Sequence, residues 1–120
     1  MTEPCGAQVW AEVAVDGVVR VKVTGELARP LDSAAAAQLM ALLDQPEPVL
    51  ELDLSGLRFC DVAGLRILLR LQQGAIAAGG LARVVAATPV VRLLLEVTET
   101  ASLFGYPPRS DSASDSDTAD

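Results

Sequence analysis

The chain has 120 residues, half of them apolar and only four aromatic, which suits one domain with an aliphatic core and excludes two. Its net charge is -7, and residues 107–120 set Arg109 against Asp111, Asp115, Asp117 and Asp120, leaving -4 on the rest. A body and tail that are both acidic lack the charge that dominates binding to phosphate backbones or anionic membrane surfaces, so no nucleic-acid partner is expected.

No run approaches the ~20 apolar residues of a membrane span, so no direct membrane insertion is expected. The start, Met1-Thr2-Glu3-Pro4, lacks the basic-then-apolar layout of a secretory signal. The expectation is a cytoplasmic protein whose two thiols, Cys5 and Cys60, stay reduced. With no histidine, the commonest metal ligand and neutral-pH acid/base is missing.

Residues 1–7 read as a flexible lead-in. From Val9 to Val15 apolar and polar residues alternate loosely, and Asp16-Gly17 supplies a turn. Val19, Val21 and Val23 then alternate with Arg20, Lys22 and Thr24, completing a predicted hairpin that ends at Gly25. Asp32-Ser33 offers a cap for a helix carrying Ala35, Leu39, Leu42 and Leu43, stopped by Pro46 and Pro48. The short apolar run Val49 to Leu54 predicts a buried strand.

Asp61 precedes the clearest helix, with Leu65, Leu68, Leu69 and Ile76 on the inward face, Arg66, Arg70 and Gln73 outside, and Gly79-Gly80 as its stop. Leu81 to Ala87 predicts another strand. Thr88-Pro89 opens a last helix whose predicted inward stripe is Val90, Leu93, Leu94 and Val97. Leu103-Phe104 either adds a short final strand or folds down onto the core. The order predicts a single α/β domain over 8–106 with a mixed four- to five-stranded sheet and helices packed on it. Beyond Pro107 the Ser/Asp-rich tail, 107–120, has nothing large to bury and is expected to be disordered. Its repetition suits a kinase, but the plainer reading is a solubilising tail.

The segment from Leu52 to Leu65 reads Leu-Asp-Leu-Ser-Gly-Leu-Arg-Phe-Cys-Asp-Val-Ala-Gly-Leu. It resembles the signature of STAS domains, in which a buried strand ends in a D-L-S-like turn and Asp-Ser-Ser/Ala-Gly-Leu opens a helix. Gly25-Glu26-Leu27, the run Ala34 to Leu43, and Thr88 to Thr98 resemble three further pieces of that family, in order. The chain is most similar in pattern to the bacterial anti-sigma factor antagonists. In these, the Ser after the motif Asp is phosphorylated by an anti-sigma factor, a serine kinase-like protein with a histidine-kinase-like ATP-binding fold. The unphosphorylated antagonist captures that factor and so regulates sigma-dependent transcription.

The matching position here is Val62, which has no hydroxyl to accept a phosphoryl group. A phosphoserine would bring about -1.5 to -2 charges, whereas valine brings none and imitates the binding-competent surface. The resemblance therefore implies an antagonist not switched at this site. It implies partner contacts at Asp61, Val62, Ala63, Gly64, Leu65 and Arg66, with Arg58, Glu26 and Arg29 nearby. Ala28, where the family often has Asp, and Glu99, where it often has Gly, depart from the pattern.

Each residue also has a plainer reading. Asp61 suits a helix cap, Gly64 a tolerated small residue, Leu65 the core, and Arg66 and Arg70 a solvated face. Asp53 and Asp61 could be imagined as a carboxylate pair, but no phosphate loop, Ser-His or Cys-His arrangement accompanies them, so neither catalysis nor a cofactor is expected. Cys60 reads as an inert small hydrophobe, and a redox link to Cys5 as a minor idea. Two further readings follow from the family alone: a small cytoplasmic STAS subunit of a lipid-type ABC transporter or signalling assembly, and nucleotide binding by the domain itself.

Overall fold

A computed structural model describes residues 7–28 and 33–106. Cys5, Arg29, the Asp32 cap and the Ser/Asp tail lie outside the described residues. Strands β1 (Ala7–Val13) and β2 (Val19–Leu27) form the predicted antiparallel hairpin. Helix α1 (Ser33–Ala41), strand β3 (Val49–Cys60), helix α2 (Val62–Ala77), strand β4 (Leu81–Ala87) and helix α3 (Pro89–Val97) follow, with a 3-10 turn at Ala101–Phe104. The sheet order is β1-β2-β3-β4, antiparallel once and then parallel twice, so the mixed α/β architecture holds.

The hairpin turn is made by Asp16 and Gly17. Asp16 Oδ1 accepts from the Val18 N–H at 3.1 Å, and Gly17 takes φ 86°, a region closed to most side chains. Strand alternation sends Val19, Val21, Val23, Leu50, Leu52, Leu54, Ala82 and Val84 to one face, where all are buried. α1 and α2 cover that face, with Ala35, Leu39, Leu68, Leu71 and Ala75 in the shared core. The opposite face carries charges and stays open to solvent.

Strand β3 runs six residues past the predicted end at Leu54. Two register shifts against β2, between Lys22 and Thr24 and between Gly25 and Glu26, insert extra residues in β3. They turn Leu57 inward, which simple alternation from Leu54 does not do, and Cys60 follows it into the core three residues later. The longer strand carries the chain straight to the start of α2.

Both helical stripes differ from expectation. In α2 the buried face is centred on Leu68, Leu71 and Ala75, leaving Leu69 on its flank and Ile76 exposed. In α3 the buried residues are Val91 and Leu95, whereas Val90, Leu93 and Val97 face solvent and Leu94 is half-buried. Six of the nine α3 residues are apolar, so periodicity admits more than one stripe. The choice is made by Thr88, whose hydroxyl donates to the Leu57 carbonyl at 2.8 Å and sets the helix's rotation at the sheet end.

No fifth strand forms among the described residues. Phe104 is fully buried instead, the second of the two outcomes expected for this segment. The β4 edge is closed by Gln72: its side-chain carbonyl accepts from the Ala82 N–H at 2.7 Å, and its amide donates to the Leu103 carbonyl. A polar side chain thereby satisfies an edge group that would otherwise recruit another strand.

Candidate functional site at the start of the second helix

Three segments converge here: the end of β2, the end of β3 and the first turn of α2. Leu27 pairs with Cys60 and Glu26 with Phe59 in the last rungs of the sheet. The Leu27 carbonyl accepts from the Asp61 N–H at 3.3 Å, anchoring the strand-to-helix junction. Asp61 is extended, φ -101° and ψ -174°, and its Oδ1 accepts from the Gly64 N–H at 2.9 Å. That is the predicted N-cap, and it satisfies one of the four amides a helix start leaves without an internal partner. Asp61→Ala should lower stability by about 1 kcal/mol in urea unfolding, and Asp61→Ser should recover most of it.

The signature residues divide between surface and interior. Val62 is 54% exposed and Ala63 half-buried, while Arg66, Arg58 and Glu26 are exposed around them. Gly64 and Leu65 are buried within this chain. They pack inside the junction, whereas Val62 and Arg66 face solvent. Gly64 packs so tightly that a Cβ there would overlap the Leu27 carbonyl and lie 3.0 Å from Cys60 Sγ. The glycine serves close approach within the chain.

Phe59, absent from the sequence-based contacts, is 47% exposed on the strand immediately before the cap, beside Glu26. Phe59 and Val62 are exposed apolar side chains on either side of the Asp61 cap, Phe59 on the strand and Val62 on the helix. Its signal was an aromatic directly before the buried Cys60, on the outward phase of an alternation continued from Leu54, but the predicted strand stopped at Leu54.

Cys60 is buried, and desolvation, then the neighbouring Asp61 charge, push its thiol up to about 12. A thiol held protonated is a poor nucleophile. Cys60 should resist a disulfide reagent such as DTNB in the native protein with Cys5→Ser and react once urea unfolds it. The stability linked to this protonated thiol is complete below its ordinary value of 9.0 and falls as pH rises toward 12.

Asp53 and Asp61 do not form a carboxylate pair. Asp53 lies mid-strand opposite Lys22 and Ala86, whereas Asp61 lies beyond the strand's end. Burial alone would raise the Asp53 carboxyl, but hydrogen bonds from the Ser55 hydroxyl and N–H, with the Lys22 charge, hold it below its ordinary value. Among the described residues no three His, Cys, Asp or Glu side chains are grouped to hold a metal ion. No helix there is long and apolar enough to cross a membrane.

A single-domain α/β fold with its sheet order and a capped helix at a strand end defines a STAS-type domain. The chain belongs to the family described as Mlab, STAS domain, which it matches over residues 10–104. No curated protein matches it in sequence. Among solved structures it is similar to an anti-sigma factor antagonist from Mycobacterium paratuberculosis, at 28% identity, 87% coverage of each chain and TM-score 0.71. It shares the fold of the anti-sigma factor antagonist SpoIIAA in its unphosphorylated form, at 18% identity, covering 80% of this chain and 84% of that one, with TM-score 0.67.

Proposed function

We propose that this protein is an anti-sigma factor antagonist that acts in the cytoplasm as a binding module rather than an enzyme. It captures an anti-sigma factor of the kinase-like ATPase fold and so releases a sigma factor. The observation that carries this reading is the half-exposed Val62 at the first helical position, where the antagonists it resembles carry a phospho-acceptor serine. Exposed Val62, with Asp61, Ala63 and Arg66 beside it on the helix start and Glu26, Arg58 and Phe59 on the adjoining strand ends, suits an apolar contact with a charged surround. Arg29 joins this surface in the proposal as a loop contributor.

Because position 62 has no hydroxyl, capture is constitutive with respect to phosphorylation there. Control then lies in the amount of protein or in its partner. The deciding experiment is affinity capture of the tagged full chain from its native cytoplasm, with mass spectrometry of what it retains. Retention of a kinase-fold anti-sigma factor supports the proposal. Retention of a transporter ATPase and permease instead assigns the chain to the transporter-subunit class and rejects the antagonist reading.

A further inference from the structure

The open face of the sheet is ordered in rows that run across the four strands. In one row Glu12 pairs with Arg20, Arg20 with Glu51, and Glu51 with Arg83. The charges alternate minus, plus, minus, plus. Glu51 is the hinge of the row, 3.7 Å from Arg20 and 2.5 Å from Arg83. The next row runs Trp10, Lys22, Asp53 and then Val85, the extra residue at the bulge in β4. Apart from Arg83, the residues of these two rows line a shallow groove of about 380 Å³. On the other side of the charged row Val49 pairs with Leu81, and the Ala14 N–H donates to the Val18 carbonyl at 2.8 Å. That row is wholly apolar. Trp10, the only tryptophan in the chain, is 59% exposed.

Such a face is complementary to itself in one orientation. A two-fold axis parallel to the strands, between two copies laid face to face, puts β1 on β4 of the second copy and β2 on β3. Every charge then meets its opposite: Glu12 meets Arg83 of the second copy, Arg20 meets Glu51, and Lys22 meets Asp53. Trp10 meets Val85, and the two apolar rows meet each other. An axis running across the strands instead lays like charges on like charges. The even number of strands and the strict alternation make the first arrangement the favourable one.

We infer that the open sheet face is a homodimer interface, formed by aligned face-to-face packing of two sheets. The patch is roughly 20 Å on a side from strand spacing and rise, small beside standard interfaces, so the dimer is weak and forms at high protein concentration. The capture surface proposed above lies beyond these rows, at the carboxyl ends of β2 and β3, so the dimer stands or falls separately from that function.

Trp10 reports on this directly. Sedimentation equilibrium of the full chain should show the weight-average mass rising toward twice the monomer's as concentration rises, with Trp10 emission shifting to the blue in parallel. Added salt should reverse both. Glu12→Arg and Arg83→Glu should each weaken self-association by about tenfold or more, since each homodimer then holds two like-charge contacts. An equimolar mixture of the two variants restores opposite charges at both contacts and should regain the wild-type mass. A monomer at every concentration, a dimer whose Trp10 emission does not move, or a mixture of folded variants that fails to recover would overturn the inference.

Discussion

If the protein captures an anti-sigma factor as proposed, Val62→Asp should weaken that capture by about thirtyfold or more and leave the fold intact. Val62 is the first residue of α2, directly after the Asp61 cap, where a carboxylate interacts favourably with the positive end of the helix dipole. The free protein should therefore melt at or slightly above the wild-type temperature. In the complex the same carboxylate is desolvated at the centre of an apolar contact. A loss of about 2 kcal/mol or more, roughly thirtyfold in affinity, is expected from a central contact of this kind. Titration of the purified anti-sigma factor by calorimetry measures it. Val62→Ser should bind nearly as well as wild type and become a substrate for that factor's kinase activity. Equal binding by wild type and Val62→Asp would remove the helix start from the interface.

Gly64→Ala should destabilise the protein strongly for a single added methyl. Its Cβ would overlap the carbonyl of Leu27, which is backbone in the sheet and cannot rotate away as a side chain can. Relief requires α2 to move off the end of β2. Such movement lengthens the Asp61 N–H to Leu27 bond and opens space around buried Cys60. Overpacking of this sort costs about 1–3 kcal/mol, and the backbone contact puts this case at the top of that range. At an ordinary exposed helical site the change would instead stabilise by somewhat under 1 kcal/mol. Urea unfolding therefore distinguishes close approach from mere tolerance by the sign of the effect. Since the same shift disturbs the cap, DTNB reactivity of Cys60 should also rise in the folded variant.

Both predictions concern neighbouring residues of one motif, and they draw on different levels of structure. That Val62 cannot be phosphorylated follows from its side chain alone. That it faces outward, while Gly64 and Leu65 face inward, follows from where α2 lies against β2 and β3. The motif as a string of letters treats all of them as candidates for contact. Packing divides them into a surface of Asp61, Val62, Ala63 and Arg66 and a buried support.

The hairpin, the order of strands and helices, and the caps at Asp61 and Thr88 were legible in the sequence because each rests on local chemistry. An Asp-Gly turn, an alternation of period two, and a side-chain oxygen before a helix act within a few residues. The length of β3, the inward turn of Leu57, the rotation of α3 and the fate of Leu103-Phe104 were not legible. The bulges in β3 arise from its pairing with β2, and they send Leu57 into the core against the alternation set by Leu54. An almost wholly apolar α3 has no unique stripe until Thr88 is tied to Leu57. Gln72 closes the edge of β4 where a fifth strand would have paired. The charged open face is the sharpest case: Glu12, Arg20, Glu51 and Arg83 are scattered through the chain, and only strand register sets them in one alternating row. Short-range chemistry thus determined the elements of this protein, and long-range pairing decided which side of each element meets water.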